Sequence, residues 1–321
     1  TRDVEATAAQ IKALAEAGCD LVRVSVFDRD CAAAVRRLKD ASPVPLAADI
    51  HFDHELALLA LENGIDKLRI NPGNLRSERE VRLVADAAKA HGVPIRVGVN
   101  SGSLPKDVLA RDGGVTAQGM VDGALYHIRM LEAAGFHDTV ISLKTSDVRL
   151  TVDTYRLAAR TFDYPLHLGV TEAGLPGQGT IKSAICVGSL LLDGIGDTVR
   201  VSLTGSPLYE PEAAISILRA LGLRPGVELI SCPTCGRTAM DVERVARAVE
   251  EGTRDIKTPL KVAVMGCVVN GPGEAKGADA ALCGGHSGSA LYIKGEFVRK
   301  ITGDPVPEFL AVIRELAQKG T

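Results

Sequence analysis

Tryptophan is missing from these 321 residues, and the aromatics together make up only 3% of them. Any core of ordinary size must therefore be built from aliphatic side chains and alanine. An excess of positive charge is missing too: 37 Lys and Arg stand against 40 Asp and Glu, for a formal net charge of −3. That balance removes the footprint of a general nucleic-acid binder, and no block of like charges forms an interaction tail. No apolar run reaches the roughly 18 residues of a membrane span; the longest, around Ser183 to Leu192, stops at Asp193. The opening Thr1-Arg2-Asp3-Val4-Glu5 has no signal-peptide character. Seven cysteines, an odd number in a chain this long, argue against a secreted disulfide framework and for a reducing, cytoplasmic compartment.

What is present is the composition of a globular protein, and a chain of this length buries roughly three quarters of its unfolded surface. From Asp3 to about Gly222 helical pattern and short apolar runs alternate, the signature of a parallel α/β fold. Strands are expected at Leu21 to Val26, Leu46 to Ile50, Lys67 to Ile70, Ile95 to Val99, Val140 to Leu143, Leu166 to Val170 and Thr198 to Leu203. Amphipathic segments such as Val4 to Ala17, Glu55 to Asn63, Glu78 to His91 and Ala124 to Ala134 lie between them. They close on Gly18, Gly64, Gly92 and Gly135, where a helix end favours a left-handed residue. A TIM-type (β/α)8 barrel fits this order better than an open sheet. Because the chain opens on a helix, the missing first strand is expected before Thr1, as in an N-terminal truncation.

In such barrels the active site is built at the carboxyl ends of the strands. Here those ends carry Arg23 and Ser25, Asp49 and His51, Arg69 and Asn71, Arg96 and Asn100, Lys144, Thr171 and Glu172, Arg200 and Ser202. A single charge at a strand end most often just meets solvent or an ion pair. Four arginines and a lysine recurring unit after unit read instead as a site for an anion with several phosphate oxygens, which the guanidinium fork matches. The stretch Gly174 to Thr180 looks superficially like a phosphate loop but lacks the required Lys. Cys19, Cys31 and Cys186 have no partner spacing and read as small buried hydrophobes.

After a helix at Pro211 to Gly222, Leu223-Arg224-Pro225-Gly226 punctuates the chain. We therefore expect a substrate-binding barrel at residues 1–224 and a small α+β domain at 225–321. The second pattern is strand Val227 to Ile230, helix Asp241 to Glu251, strand Leu260 to Met265, strands near Ala290 to Ile293 and Glu296 to Ile301, and helix Pro307 to Gln318. Cys232-Pro-Thr-Cys235 lets two thiolates chelate one centre, and Cys267 follows a strand able to run beside the first. For a fourth ligand, softness favours Cys283, then His286, then Glu274.

The chain also resembles the bacterial 4-hydroxy-3-methylbut-2-enyl diphosphate synthases, iron-sulfur enzymes of the methylerythritol phosphate route to isoprenoids. The motifs that carry the resemblance span essentially the whole sequence. They are D-V-E-A-T at Asp3 to Thr7, A-D-I-H-F at Ala48 to Phe52, L-R-I-N-P-G-N at Leu68 to Asn74, R-V-G-V-N-S-G-S-L at Arg96 to Leu104 and S-L-K-T-S-D at Ser142 to Asp147. They continue through L-H-L-G-V-T-E-A-G at Leu166 to Gly174, G-I-G-D-T-V-R-V-S-L at Gly194 to Leu203, S-C-P-T-C-G-R at Ser231 to Arg237 and G-C-V-V-N-G-P-G-E-A at Gly266 to Ala275. The departures are the absent first strand and the presence of Cys283 and His286, which are not ligands in that family.

The resemblance implies a 4Fe-4S cluster on Cys232, Cys235, Cys267 and, as fourth ligand, Glu274, a hard and exchangeable donor on the iron that reacts. It implies reductive ring opening of 2-C-methyl-D-erythritol 2,4-cyclodiphosphate, with flavodoxin or ferredoxin as electron donor. Arg23, Arg69, Arg96, Asn100, Lys144, Arg200 and Ser202 would clamp the diphosphate, Glu172 would donate or relay a proton, and Asn270 would touch a substrate hydroxyl or simply shape a turn. A head-to-tail homodimer is implied as well. The last barrel helix returns the chain to the noncatalytic face, and the four residues from Leu223 span at most roughly 14 Å. Two rivals use the same residues differently: a phosphosugar lyase or isomerase with a structural zinc ribbon, and an iron-sulfur sensor or scaffold without catalysis.

Overall fold

The computed structural model describes residues 1–50, 53–70, 77–269 and 271–320, leaving the side chains of Ser103 and Glu274 aside. His51, Asn71 and Asn270, which the sequence places at the site, therefore lie outside the described residues, as does the Glu274 carboxylate. Two compact units divide the chain, Thr1–Ile217 and Leu218–Thr321.

The first unit runs α1 (Val4–Glu16), β1 (Val22–Val26), α2 (Arg29–Ala41), β2 (Leu46–Ile50), α3 (His54–Glu62), β3 (Lys67–Ile70), α4 (Glu78–His91) and β4 (Ile95–Asn100). It continues with α5 (Lys106–Asp112), α6 (Ala117–Ala133), β5 (Thr139–Lys144), α7 (Val148–Thr161), β6 (His167–Leu168), α8 (Gln178–Leu192), β7 (Thr198–Val199) and α9 (Tyr209–Ala220), in which the division between units falls. Six of these helix starts are written in the sequence. Asp3, Asp28, Asp53, Ser77, Thr116 and Asp147 accept from the first-turn N–H groups of α1, α2, α3, α4, α6 and α7.

Strands β1 to β5 form one parallel sheet in sequence order, β6 pairs with β7, and a bridge from Ile141 to Leu166 joins the two groups. Tyr155, fully buried, fastens the same junction: its hydroxyl donates to the His167 carbonyl at 2.5 Å and accepts from the Leu143 N–H at 3.0 Å. The seven expected strands are all present, but the last two are shorter than expected. Gly169 has a φ of +153°, and a Cβ there would stand 2.3 Å from the Arg200 carbonyl oxygen. Regular pairing ends where the two backbones close on each other.

Alternation decides which residues face inward. Val22, Val24 and Val26 of β1 are buried, while Arg23 and Ser25 face the other way. The register then sets Ser25, Asp49, Arg69 and Arg96 side by side across β1 to β4, and Asn100 beside Lys144 at the ends of β4 and β5.

The second unit contains β8 (Val227–Ser231), α10 (Val242–Gly252), β9 (Leu260–Met265), α11 (Gly271–Glu274), β10 (Ala280–Cys283), β11 (Ser289–Ile293), β12 (Glu296–Ile301) and α12 (Val306–Lys319). Its sheet has the order β12-β11-β10-β9-β8, parallel among β8, β9 and β10 and antiparallel beyond. α10 and α12 cover one face through Val245, Val249, Phe309 and Ile313. Strand β10 is the strand the sequence reading lacked. Ala280-Ala-Leu-Cys283 is short and alanine-rich, so its strand character comes from its neighbours on both sides and not from propensity.

Candidate active site

A cavity of about 330 Å³ opens in the first unit, lined by Arg23, Asp49, Arg69, Asn100, Glu172 and Arg200 among others. Arg23 belongs to β1 and Arg200 follows β7, so the strand series curls until its two ends share one mouth. Asp49, 4% exposed, is the internal counterion: its carboxylate receives Arg69 Nη1 at 2.9 Å and Arg23 Nη1 at 3.1 Å. Arg96 Nη1 donates to Ser142 Oγ at 2.8 Å, and Arg200 Nη2 donates to Ser202 Oγ at 3.1 Å and stands 3.8 Å from Glu210 Oε1.

Positive charge outweighs negative in this mouth. Burial, followed by the nearness of Arg23 and Arg69, pulls the Arg96 guanidinium down to about 9. Lys144, 5% exposed, is held well below the ordinary lysine range by burial and then by Arg96, Arg200, Arg23 and Arg69. Arg23 is lowered by burial and then by Arg200. Arg69 Nε is buried without a partner among the described residues. Burying like charges together costs several kcal/mol in the absence of compensation, so the arrangement calls for a polyvalent anion.

Glu172 lies at the rim, exposed, with a left-handed φ of 54°. A non-glycine residue held there carries strain of order 1 kcal/mol, which functional loops retain more often than ordinary ones. The barrel thus gathers Arg23, Arg69, Asn100, Glu172, Arg200 and Ser202 around one cavity, with Arg96 and Lys144 buried behind. Sequence reasoning missed three supports: Asp49 as the clamp on two arginines, Ser142 as the partner of Arg96, and Gly98. A Cβ at Gly98 would press within 3.0 Å of Arg69 Nε; a lone glycine inside a strand was the available signal.

In the second unit the cysteines sit past the ends of parallel strands. Cys232 follows β8 and Cys267 lies two residues beyond β9. The Cys232 N–H reaches the Val264 carbonyl, and the Gly266 N–H donates to Cys232 Sγ at 3.1 Å, a hydrogen bond of the kind that surrounds cluster sulfurs. Cys235 occupies an exposed turn closed by its N–H to Thr238 Oγ1 at 3.1 Å. The backbone N–H of Arg237, then its side chain, hold the Cys235 thiol below its usual range, which favours the thiolate that binds metal. Gly266 is required beside them, because a Cβ there would meet Thr238 Oγ1 at 2.9 Å.

Cys283 behaves otherwise. It ends β10 fully buried among Ala263, Met265 and Ala281, and burial, then Cys267 and Cys232, push its thiol up to about 12. That is the environment of a packing residue. His286 is exposed in the turn after it. Among the described residues no three His, Cys, Asp or Glu side chains form a finished metal cage. The donor set of Cys232, Cys235 and Cys267 nonetheless fits an iron-sulfur centre chemically: soft sulfurs at the ends of neighbouring strands, met by backbone N–H groups. Of the other cysteines, Cys31 and Cys186 are fully buried as expected, whereas Cys19 is half-buried.

Comparison with known proteins adds the family. Residues 1–215 match the GcpE TIM-barrel domain and residues 228–315 the GcpE protein C-terminal domain. The chain is 54% identical to the 4-hydroxy-3-methylbut-2-en-1-yl diphosphate synthase (flavodoxin) of Caldanaerobacter subterraneus, over 97% of this chain and 88% of that one. It is 52% identical to the protein of the same name from Geobacillus kaustophilus, over 97% and 83%. Among solved structures, dihydropteroate synthase from Yersinia pestis aligns over 68% of this chain and 90% of its own, with a TM-score of 0.49 and 15% identity. With both units matched in order, a barrel whose inner face carries the arginines and a sheet that carries the three cysteines, this chain belongs to the GcpE family.

Proposed function

We propose that the chain reduces 2-C-methyl-D-erythritol 2,4-cyclodiphosphate to 4-hydroxy-3-methylbut-2-enyl diphosphate, opening the ring with two electrons, proton uptake and loss of water. The observation that carries this reading is the mouth itself, where Arg23, Arg69 and Arg200 line the cavity with Arg96 and Lys144 buried behind them, and Asp49 is the one buried carboxylate among the described residues. Such a site binds the cyclic diphosphate by replacing missing counter-charge, and fixed guanidinium forks orient the carbon skeleton. Asn100 and Ser202 complete the polar wall. Glu172, on its strained rim position, hands a proton to the departing hydroxyl.

Cys232, Cys235, Cys267 and Glu274 would hold a 4Fe-4S cluster, and Asn270, between Cys267 and Glu274 in the sequence, would contact a substrate hydroxyl. The cluster, when bound, supplies the two electrons, received from flavodoxin or ferredoxin. Residues 1–224 form the substrate-binding domain and 225–321 the cluster domain, in a head-to-tail homodimer of the cytoplasm that sets each cluster domain to work with the partner's barrel. No described helix is long and apolar enough to cross a membrane.

Anaerobic purification tests the proposal. The native chain should be brown, carry iron and sulfide, and convert the cyclic diphosphate when supplied with reduced flavodoxin. Cys267→Ala should lose most of its iron and at least about a hundredfold in activity. A colourless protein holding zinc alone, or an iron-loaded protein that leaves the cyclic diphosphate untouched, would overturn it.

A further inference from the structure

A lysine buried in a protein ordinarily ends on a carboxylate or on several acceptors. Lys144 ends on neither. It is 5% exposed, and among the described residues its Nζ has no ion-pair partner and no hydrogen-bond acceptor. Alternation along β5 decides where it points: Lys144 shares a face with Ser142, which accepts the Arg96 hydrogen bond, and the register sets it beside Asn100 of the cavity wall. Gly169, just past β6, leaves room for the amine, since a Cβ there would stand 3.1 Å from Nζ. A buried amine set against bare backbone and given no acceptor is held more cheaply without its proton.

The surrounding charges push the same way. Arg96 acts on it from β4, Arg200 from the segment after β7, Arg23 from β1 and Arg69 from β3, against one buried carboxylate, Asp49 on β2. The other titratable neighbours are His167 on β6 and Cys186 on α8. Burial, then Lys144, holds His167 well below its ordinary range, and burial pushes the Cys186 thiol up to about 12. Arg96, at about 9, keeps its charge near neutrality. Lys144 is therefore the member of this set whose charge an incoming anion can switch.

We propose that Lys144 is an uncharged amine in the resting mouth and takes up a proton from solution when the diphosphate seats among the arginines. The inference rests on the substrate reading given above and adds a proton to the binding step. Negative charge placed over Arg23, Arg69 and Arg200, which line the cavity, offsets their repulsion of Lys144, and an opposite charge close by favours the charged form of an amine. The ammonium also serves the reaction. Breaking the ester C–O bond leaves its electron pair on a phosphate oxygen, so the opened diphosphate carries one more negative charge than the ring did. The proton that arrives with the substrate supplies the counter-charge before that bond breaks, and it stays on Nζ. A neutral amine at rest relieves the empty mouth of one like charge.

Calorimetry of the oxidised holoprotein with the cyclic diphosphate tests this, because without an electron donor the ligand binds and does not react. The ligand's own acids are strong, so it has no proton to exchange near neutrality. Titrations at pH 7.5 are run in Tris and in Hepes, phosphate being avoided as a competitor, and the change of apparent enthalpy with the buffer's ionisation enthalpy counts the protons moved. The native chain should take up about one proton per site and Lys144→Met about none, with iron content and far-UV circular dichroism as controls on folding. Between pH 7 and pH 8 the native Kd should weaken by up to about tenfold, while that of Lys144→Met should hardly move. A third measurement needs no variant: in protein labelled with carbon-13 at lysine Cε, one resonance should pass from the amine to the ammonium position when the ligand is added. Binding without proton uptake and without a moving resonance overturns the inference and leaves the substrate reading standing. Uptake undiminished in Lys144→Met places the proton on another group and overturns the inference too. A holoprotein that does not bind the cyclic diphosphate overturns both.

Discussion

The two units place parallel strands side by side in the same way and use them oppositely. In the barrel, the inward face of β1 to β5 carries Arg23, Asp49, Arg69, Arg96 and Lys144, where barrels of this kind usually pack branched aliphatics. In the second unit both faces of the sheet are apolar, Val262 and Val264 toward the helices and Ala263, Ala281 and Cys283 on the other side. Its chemistry sits beyond the strand ends, held by backbone N–H groups and by glycines that leave room. One site is therefore specified by side chains on strands and kept electrostatically incomplete. The other is specified by the path of the main chain, and its side chains could hardly be placed without it.

If that contrast is right, the largest effect should come from a change that keeps charge and loses shape. Arg96→Lys or Arg200→Lys should lower kcat/KM by about 10- to 100-fold, mostly through KM, because the bidentate fork is lost. Iron content should stay at the native level in both. Unchanged steady-state kinetics in the pair would mean that the diphosphate is held elsewhere.

A smaller effect sharpens the role of the counterion. Asp49→Asn leaves Arg23 and Arg69 without their shared carboxylate and should destabilise the ligand-free protein by about 2 kcal/mol, the usual cost being reduced because Arg23 is partly solvated. Added inorganic diphosphate should restore most of that loss in thermal denaturation, and should stabilise the variant more than the native chain. Equal stabilisation of the two would separate Asp49 from the anion site.

The smallest effect separates the mouth from ordinary burial. His127 on α6 is 6% exposed, its Nδ1 has no partner among the described residues, and burial lowers it to about 4. The unfolded chain takes up this proton near 6.5 and the folded chain does not, so stability is whole above that pH and falls as the solution is acidified toward 4. The native protein should lose about 1 kcal/mol between pH 7 and pH 5.5 from this residue, and His127→Leu should flatten that part of the profile. A denaturation midpoint with the same pH slope in both proteins would assign the slope to other groups.

The barrel side of the comparison was legible in the sequence because alternation and recurrence are local. Each strand announces itself by β-branched or leucine residues, and the arginines repeat at the same phase. Asp49 was visible as a strand-end acid, but nothing local says that it bridges two arginines from different strands; that is a fact of register. The failure at β10 has the same origin. Ala280 to Cys283 have weak strand propensity, and only lateral pairing with β9 and β11 makes them a strand. Softness alone favoured Cys283 as a ligand, whereas its place in that strand makes it part of the core. The short β6 and β7 likewise follow from a contact between distant backbones at Gly169 and Arg200, which no window of sequence contains.

The unbalanced mouth has a consequence for how the protein lives among other solutes. A cell holds phosphate, nucleotides and sugar phosphates, and a cavity lined by Arg23, Arg69 and Arg200 against Asp49 and Glu172, with Arg96 buried behind, should collect whichever of them fits. On the function proposed above, the resting state should be an anion-loaded one, with the substrate arriving by exchange. Rates measured in phosphate buffer will report that exchange, and a washed, anion-free preparation will be both the least stable form of the protein and the one quickest to bind.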